Sequence, residues 1–554
     1  MRLSNLTAWP LGLLAALAVS ATAAPPKPVP IDTALMKSVV KRLSSDELEG
    51  RAPSTAAEPK VLNLLIAQFK AAGLKPGNKG SWLQKVPTVE ITGDNYSALN
   101  ISGGTGSSSA PMQFKFASDF VAVSYRVTPK TVINDAELVF VGYGINAPEL
   151  GWNDYAGVDM KGKVAVILVN DPDYASATQD GLFKGRRMTY YGRWTYKFEE
   201  AARQGAKAAL LVHDTYPAAY GWNVVNSSWT GPQYAVQSAN NAMDQTEANG
   251  WIQKPVAEAI LAAAGKDLNA LTAEAQTKGF QAVPLGLKAS LSFDNAIRKS
   301  TSRNVIGILP GTAAPKEYVL YTAHWDHLGR CTPDKRGDDI CNGAVDNATG
   351  VAALSAIAKA SAAAGAARRS QVFLAVTLEE SGLLGSKYYA EHPVYPLAAT
   401  VGGVNMDALP PTPRSRDYAT VGGDKSDLTG LFRKALAEQG LKEGPEDSPE
   451  KGYYYRSDHF SMAKLGVPMF NLKRGIDLFN GGAAAGALAS EDYIKNRYHQ
   501  PSDEYSDKWD WSGIEQDVRL FYRLGHLLAD SKAWPNWHPT DEFRAIRDRS
   551  RAGK

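Results

Sequence analysis

The sequence predicts an α/β protein with a mixed, largely parallel sheet, helices on both faces of that sheet, and a β-rich segment that interrupts it. Residues 30–75 contain two helical patterns, short strands and turns begin at about Ala136, and strands alternate with helices from about Ser290. A chain of 554 residues is long enough for two or more domains with cores of their own.

Each element has a recognisable pattern. The first two helices are predicted in TALMKSVVKRLSSDELEG and EPKVLNLLIAQFKAAG, where apolar residues recur at helical spacing and Gly73 ends the second. The β-rich segment contains the strands AELVFVGYGI and GKVAVILVND, then a helix that leads into a buried strand, YKFEEAARQGAKAALLVHD. The later strands are SRNVIGILPG, EYVLYTAH, QVFLAVTLEE and TVGGVNMDAL, with an Ala-rich helix over 348–364. This alternation is typical of a parallel sheet whose chemistry lies at the carboxyl ends of its strands.

The amino-terminal segment has the features of a signal peptide. Arg2 precedes an apolar stretch that ends near Val19, and Ala21 and Ala23 form an A-x-A cleavage pattern. We therefore expect residues 1–23 to be removed from an exported protein, which would be periplasmic or extracellular. The apolar stretch is too short to span a membrane, and no later stretch has a transmembrane pattern.

The charge and the cysteine content limit the classes of partner that are expected and indicate an oxidising compartment. The formal net charge of +3 is too small to indicate nucleic acid or an acidic membrane surface as a partner. The two cysteines, Cys331 and Cys341, lie in the polar segment GRCTPDKRGDDICNG. Two thiols this close in an exported loop more often form a disulfide than a metal site, so we predict a disulfide that restrains a surface loop.

Potential metal ligands collect at the predicted strand ends and in adjoining loops: His324, Asp326, Asp346, Glu379, Glu380, Asp407 and His499. Each has an ordinary explanation when taken alone. A single histidine is often structural, Asp346 precedes a helix that it could cap, and Asp407 could start a turn. Together they would place several carboxylates at one edge of the sheet, with no basic residues to neutralise them. A pair of divalent cations accounts for that arrangement, because unpaired buried carboxylates are costly.

The order of these motifs resembles the co-catalytic zinc aminopeptidases of peptidase family M28. The motifs are His-x-Asp, Gly-Ala-x-Asp-Asn-x-x-Gly, Glu-Glu, Asn-Met-Asp and Tyr-His-x-x-x-Asp, and the resemblance covers about residues 30–125 and 290–530. It implies the zinc exopeptidase fold and hydrolysis of peptide bonds.

The interrupting segment resembles a protease-associated (PA) domain. The similarity lies in VFVGYGI, DYAGVDMKGKVAVIL and the Lys197–His213 stretch, and is mainly a pattern of apolar residues and glycines. It implies a catalytic domain in two parts, 24–125 and 289–554, with a PA domain inserted over 126–288.

The M28 resemblance also implies a ligand set for two Zn²⁺ ions per chain: His324 and Asp407 for one, Glu380 and His499 for the other, and Asp346 bridging both. Glu379 would be the general base that takes a proton from the water shared by the metals and passes it to the leaving amine. Mixed histidine and carboxylate ligands suit Zn²⁺, although such sites also accept cobalt or manganese.

Further roles follow from the resemblance with less definition. Asp326 would accept the imidazole N–H of His324 and fix its tautomer. Asp503 would do the same for His499, with a surface turn as the alternative, while His327 has no role beyond a structural one. Two tyrosines, Tyr498 and Tyr454, compete as the donor that stabilises the oxyanion, and we favour Tyr498.

The function that these features favour is release of N-terminal residues from peptide substrates. A carboxypeptidase or dipeptidase is the alternative, in which Arg456, Lys473 or Arg474 would receive a terminal carboxylate. Two further readings are a non-catalytic PA-domain binding protein and a single-zinc glutaminyl cyclase, and the complete ligand set disfavours both. The sequence leaves the preferred substrate residue and the oligomeric state open.

Overall fold

The structure, a computed structural model, describes residues 30–103 and 111–552. The predicted signal peptide over 1–23 lies outside these ranges. The chain from Ile31 onward forms one compact unit. Within the described ranges, no helix is long and apolar enough to cross a membrane.

The helices and strands follow in chain order. The α-helices are α1 (Thr33–Leu43), α2 (Glu58–Ala71), α3 (Trp194–Arg203), α4 (Thr215–Ala218), α5 (Trp222–Trp229), α6 (Lys254–Ala263), α7 (Leu268–Ala275), α8 (Gly350–Ala364), α9 (Leu384–Glu391), α10 (Leu428–Glu438), α11 (His459–Lys464), α12 (Gly482–Asn496), α13 (Ser512–Asp530) and α14 (Arg544–Arg551). The strands of the first half are β1 (Lys75–Pro76), β2 (Leu83–Asp94), β3 (Leu99–Gly103), β4 (Met112–Phe114), β5 (Phe120–Val123), β6 (Lys130–Phe140), β7 (Asn146–Ala147), β8 (Trp152–Asn153), β9 (Val164–Leu168), β10 (Ala208–His213), β11 (Gln233–Val236) and β12 (Ala248–Gln253). The strands of the second half are β13 (Val283–Leu309), β14 (Ala314–His324), β15 (Gly329–Arg330), β16 (Ile340–Cys341), β17 (Arg369–Val376), β18 (Thr400–Asn405), β19 (Asp417–Thr420), β20 (Lys442–Glu443) and β21 (Met469–Arg474).

The sheet of the second half is mixed and largely parallel, as predicted. Strand β14 runs parallel to β17 on one side and to β18 on the other, and β21 continues the parallel set beyond β18. At the two ends of this set, β13 pairs with β17 and β19 pairs with β21, both antiparallel. Strands β17 and β18 are buried along their whole length, which is why the VFLAV run of β17 is apolar on both faces.

Helices cover both faces of this sheet. The Ala-rich helix α8 packs with α1 and α13 on one face, and its small side chains allow close contact with β14. On the other face, α9 and α11 pack on an apolar cluster that includes Leu320, Leu374 and Met462. The predicted fold class is therefore confirmed.

Strand β13 is longer than the sequence indicates. The pattern predicts a strand only in SRNVIGILPG, whereas β13 spans the 27 residues Val283–Leu309. Its first part pairs with β3 and β6, its middle with β2, and its end with β17, so one strand connects the β-rich segment to the second-half sheet. The polar residues Lys299, Ser300 and Thr301 precede the predicted strand, and they belong to β13 because their backbone pairs with β2.

The β-rich segment includes strands that precede residue 126. Strand β3 pairs with β13 and strand β5 pairs with β12, and their apolar side chains join one core with those of β6, β9 and β10. Strands on both sides of the predicted boundary between residues 125 and 126 thus pair with one another. The division into 24–125, 126–288 and 289–554 and the PA assignment stay predictions.

Cys331 and Cys341 form a disulfide with a Cα–Cα distance of 5.9 Å. The bond closes a hairpin in which Gly329 of β15 pairs with Cys341 of β16. This hairpin precedes Asn342 and Gly343, which lead directly into the turn that carries Asp346.

We expect replacement of both cysteines by serine to lower the free energy of unfolding by about 2–3 kcal/mol, because the cross-link restricts the unfolded chain over a short loop. Urea denaturation of the double variant and the wild type measures the difference. A reducing agent should lower the wild-type midpoint towards that of the double variant and leave the variant unchanged. Equal midpoints for both proteins under oxidising conditions would contradict the prediction.

Candidate metal centre

Four of the predicted site residues lie at the carboxyl ends of three neighbouring strands. His324 is the last residue of β14, Glu379 and Glu380 follow the end of β17 by three and four residues, and Asp407 follows β18 by two. Because β14 is parallel to both neighbours, these ends lie at one edge of the sheet.

Two loops bring the remaining candidates to the same edge. Asp346 lies in the irregular turn Ala344–Thr349 that leads into α8, and its backbone is not helical. His499 follows α12 and has a left-handed backbone with φ of 58°. Sequence reasoning placed both residues in loops but could not place the loops relative to the sheet.

The carboxylate of Asp346 lies between two groups of ligand atoms. Its Oδ1 is 3.3 Å from His324 Nε2, and that nitrogen is 3.2 Å from Asp407 Oδ1. Its Oδ2 is 3.4 Å from His499 Nε2, and that nitrogen is 3.2 Å from Glu380 Oε2. Each oxygen of Asp346 therefore faces one histidine–carboxylate pair.

The donor set fits a divalent metal such as zinc. Imidazole nitrogens and carboxylate oxygens are ligands that Zn²⁺ accepts, and each pair leaves room for further ligands. The side chain of Asp346 is 6% exposed and that of Glu380 is 8% exposed, so their charges are largely removed from water. A bound cation would offset the cost of burying carboxylates this close together.

Glu379 lies beside these ligands without being needed as one. Ligand atoms of His324, Glu379 and Glu380 all lie within 4.8 Å of one another. Burial raises the pKa of Glu379 well above its usual range, and the negative charges of Asp407 and Glu380 raise it further, while protonated His324 opposes the shift.

Asp326 and Asp503 support the backbone of the ligand loops rather than the imidazoles. The carboxylate of Asp326 accepts the N–H of Glu379 at 3.2 Å and of Glu380 at 3.4 Å. His324 Nδ1 lies 3.2 Å from the backbone oxygen of Asp326 and 3.9 Å from its carboxylate, so the expected carboxylate contact is replaced by a backbone one. Asp503 accepts the N–H groups of Val345 and Asp346, which fixes the Asp346 turn.

Ser457 is a site residue that the sequence analysis did not assign. Its hydroxyl donates to Asp407 Oδ2 at 2.6 Å and accepts the side-chain N–H of Asn405 at 2.7 Å. The only sequence signal for this role is its position in the RSDHF segment next to the tyrosines already considered.

His327 is a second unassigned site residue. Its Nδ1 lies 2.6 Å from Glu380 Oε1, and its side chain is fully buried. The spacing in HWDHLG, with histidines at positions 324 and 327, was the available signal.

Arg51 corrects the expectation that the carboxylates have no basic neighbour. Its guanidinium is buried and donates to the backbone oxygens of Leu43 at 2.8 Å, Trp325 at 2.9 Å and Gly343 at 2.9 Å, and also to that of Asn342. Burial lowers its pKa to about 10, although the charges of Asp346 and other site carboxylates oppose this. Because Arg51 precedes the first ligand by more than 250 residues, no local motif indicates the contact.

The two candidate tyrosines lie in different surroundings. The ring of Tyr498 stacks on that of His499, with centroids 3.9 Å apart, and 36% of Tyr498 is exposed. Tyr454 is buried with its ring 4.6 Å from that of His459 and 5.5 Å from Lys425 Nζ. Of the two, Tyr498 contacts a candidate ligand, whereas Tyr454 belongs to an apolar core cluster.

The fold and this cluster of histidines and carboxylates define a candidate metal centre at the carboxyl edge of the sheet. Residues 304–523, which include all five proposed metal ligands, match the model of peptidase family M28.

The chain is also similar to individual proteins. It is 32% identical to aminopeptidase NAALADL1 of Mus musculus over 130 residues, which are 22% of this chain and only 16% of that relative. The solved structure of an aminopeptidase from Aneurinibacillus sp. strain AM-1 matches this chain with 20% sequence identity and a TM-score of 0.48. The match covers 91% of this chain and 95% of that chain. The solved structure of the zinc aminopeptidase BSAP from Bacillus subtilis is 16% identical in sequence to this chain. The match covers 93% of this chain and 99% of that chain, with a TM-score of 0.43.

Proposed function

We propose that this protein is an exported aminopeptidase that releases N-terminal residues from peptides and binds two zinc ions. The position of Asp346 carries the proposal, since each of its oxygens faces a separate histidine–carboxylate pair. His324 and Asp407 would hold one zinc, Glu380 and His499 the other, and Asp346 both. The match to peptidase family M28 supports this assignment.

The residues around the metals have separate tasks. Bound zinc supplies Lewis-acid chemistry, which lowers the pKa of water and polarises the carbonyl of the substrate. Glu379 takes a proton from the attacking water and delivers it to the leaving amine. Asp326 holds the backbone of Glu379, so that its carboxylate stays at the edge of the ligand cluster.

Tyr498 is our candidate for the donor to the oxyanion. It is partly exposed and stacked on His499, so its hydroxyl can reach a substrate that lies over the ligands. A hydroxyl placed where negative charge develops lowers the barrier to reaction.

The distribution of charge favours an aminopeptidase over a carboxypeptidase. Of the three cations considered for a terminal carboxylate, Arg474 is buried and bound to Asp517 and to the backbone of Pro410, and Lys473 faces Asp447. The site itself is rich in carboxylates, which suit the α-ammonium group of a substrate.

One observation favours the carboxypeptidase as a second candidate. Arg456 is exposed, lies 5.2 Å from the ring of Tyr453, and forms no ion pair among the described residues. A single available cation next to the Ser457 loop could receive a carboxylate.

Export is supported by two features. The sequence begins with a signal-peptide pattern over 1–23, and the Cys331–Cys341 disulfide fits an oxidising compartment.

Hydrolysis of three matched peptides tests the function. One peptide is free at both ends, one is blocked at the amine, and one is amidated at the carboxyl, and each is measured with zinc and with a chelator. We expect the amine-blocked peptide alone to resist hydrolysis and the chelator to stop cleavage of the other two.

The other outcomes are also decisive. Resistance of the amidated peptide instead would show a carboxypeptidase and would direct attention to Arg456. If no peptide is cleaved by protein that contains two zinc ions, the peptidase proposal is wrong, and a glutaminyl cyclase or a binding role should be tested next.

A further inference from the structure

We propose that His327 is a positioning residue that fixes Glu380 for the zinc ion shared with His499. Its loss should weaken this second zinc selectively and leave the zinc between His324 and Asp407 in place. The inference rests on the two-zinc centre of the proposed function.

The two oxygens of Glu380 have different partners. Oε1 is 2.6 Å from His327 Nδ1, the length of a strong hydrogen bond, and Oε2 is 3.2 Å from His499 Nε2. With Nδ1–H donating to Oε1, the carboxylate cannot rotate freely, and Oε2 is held towards the second ligand group. Hydrogen bonds of this kind to ligating carboxylates orient them and tune metal affinity.

His327 itself is held in place by its surroundings. Its side chain has no exposed surface, and Gly343 packs directly against the ring, because a Cβ at that position would lie 2.5 Å from His327 Cδ2. The ring centroid is 5.8 Å from that of His499. A rigid imidazole can transmit a fixed orientation to Glu380, which a mobile surface group could not do.

The first zinc site has a support of its own. Ser457 donates to Asp407 Oδ2 at 2.6 Å, and this contact lies on the other side of the Asp346 carboxylate from His327. Ser457→Ala therefore removes the corresponding hydrogen bond from Asp407, a proposed ligand of the other zinc. Substitution of His327 and of Ser457 therefore forms a matched pair of variants, each expected to weaken a different zinc.

The test measures zinc affinity directly. Wild type, His327→Leu and His327→Asn are dialysed against buffered zinc, and bound metal is determined by elemental analysis. Leucine and asparagine have similar size, but the asparagine amide can take the place of the imidazole N–H. We expect the leucine variant to bind one of its two zinc ions about 10–100-fold more weakly, and the asparagine variant to recover part of the loss.

A second comparison identifies which zinc is affected. In a His499→Ala background only the site of His324 and Asp407 remains complete, so His327→Leu should not change the affinity of the remaining zinc. Ser457→Ala should lower that affinity in the same background. Circular dichroism of every variant confirms that the fold is retained.

Three results would overturn the proposal. The first is wild-type affinity for both zinc ions in His327→Leu, and the second is equal loss in the leucine and asparagine variants, which would indicate ring packing or direct ligation. The third is loss of the remaining zinc when His327→Leu is added to the His499→Ala background. Failure of the proposed function has a different signature, since the wild type itself would then bind fewer than two zinc ions or cleave no peptide.

Discussion

Replacing Glu379 with glutamine should lower the rate of peptide hydrolysis by about 10²–10⁴-fold while both zinc ions remain bound. Glutamine has the shape of glutamate but cannot accept and return a proton. Because Glu379 is not one of the proposed ligands, its charge is not required to hold metal. Steady-state hydrolysis of the peptide that is free at both ends, together with elemental analysis of bound zinc, measures the two effects in the same preparation.

The neighbouring residue provides the control. Glu380→Gln should bind the second zinc more weakly, because a neutral amide is a poorer ligand than a carboxylate. The two variants differ by one position and remove the same charge, so a general electrostatic effect would change both in the same way. Loss of zinc from the Glu379 variant, or full activity with both zinc ions bound, would contradict the assignment.

The backbone explains how two adjacent glutamates can differ in role. Leu378, just before them, has a positive φ of 57°, which ends β17 with a sharp turn. The carboxylate of Asp326 then accepts hydrogen bonds from the backbone N–H groups of both glutamates, which fixes the turn. With the backbone held in this way, Glu380 faces His499 and His327, while Glu379 is left near His324.

The sequence could indicate that the candidate ligands lie together because each one belongs to a short local pattern. His324, Glu380 and Asp407 follow apolar runs that are recognisable as strands, and parallel neighbours bring such ends together whatever the rest of the chain does. The order of the motifs added the loops with Asp346 and His499. Local patterns and one general rule of sheet topology indicated the cluster, and the resemblance to family M28 supplied the proposed ligand set.

The supporting residues could not be predicted because their roles arise from tertiary contacts. Arg51 lies in LEGRAP, far from every ligand in sequence. Ser457 lies in the RSDHF segment, where Tyr454 was the predicted site residue. Strand β13 shows the same limit for the fold. Its polar residues Lys299, Ser300 and Thr301 have no strand pattern, and they form part of a strand because their backbone pairs with β2.

Replacing Arg51 with methionine should lower the free energy of unfolding by about 3–5 kcal/mol. Methionine has a similar length, so the main loss is electrostatic. The backbone oxygens of Leu43, Trp325, Asn342 and Gly343 would lose their donor in a buried region. The site carboxylates would also lose the positive charge that lies behind them. Urea denaturation of the zinc-loaded protein measures the change.

The backbone around Arg51 indicates how strongly this position is constrained. Glu49, Gly50 and Arg51 have φ values of 46°, 69° and 53°, so three consecutive residues are left-handed. For residues with a Cβ this conformation costs about 1–2 kcal/mol each, and it persists only where other contacts compensate. Gly50 fits beneath the disulfide hairpin, since a Cβ there would lie 2.6 Å from the backbone oxygen of Cys341. The hydrogen bonds of Arg51 supply the compensation.

A nearby arginine separates this effect from a general loss of positive charge. Arg330 lies on the same hairpin with its side chain 56% exposed and pairs with Asp339 and Glu49, so Arg330→Met should change the denaturation midpoint little. Arg51→Lys keeps the charge but cannot reach all of the backbone oxygens, and we expect a midpoint between those of wild type and Arg51→Met. Equal midpoints for Arg51→Met and Arg330→Met would show that the buried guanidinium does not stabilise the ligand loops. The expected order would instead make Arg51 the link between the amino-terminal helices, the backbone that follows His324, and the loop that carries Asp346.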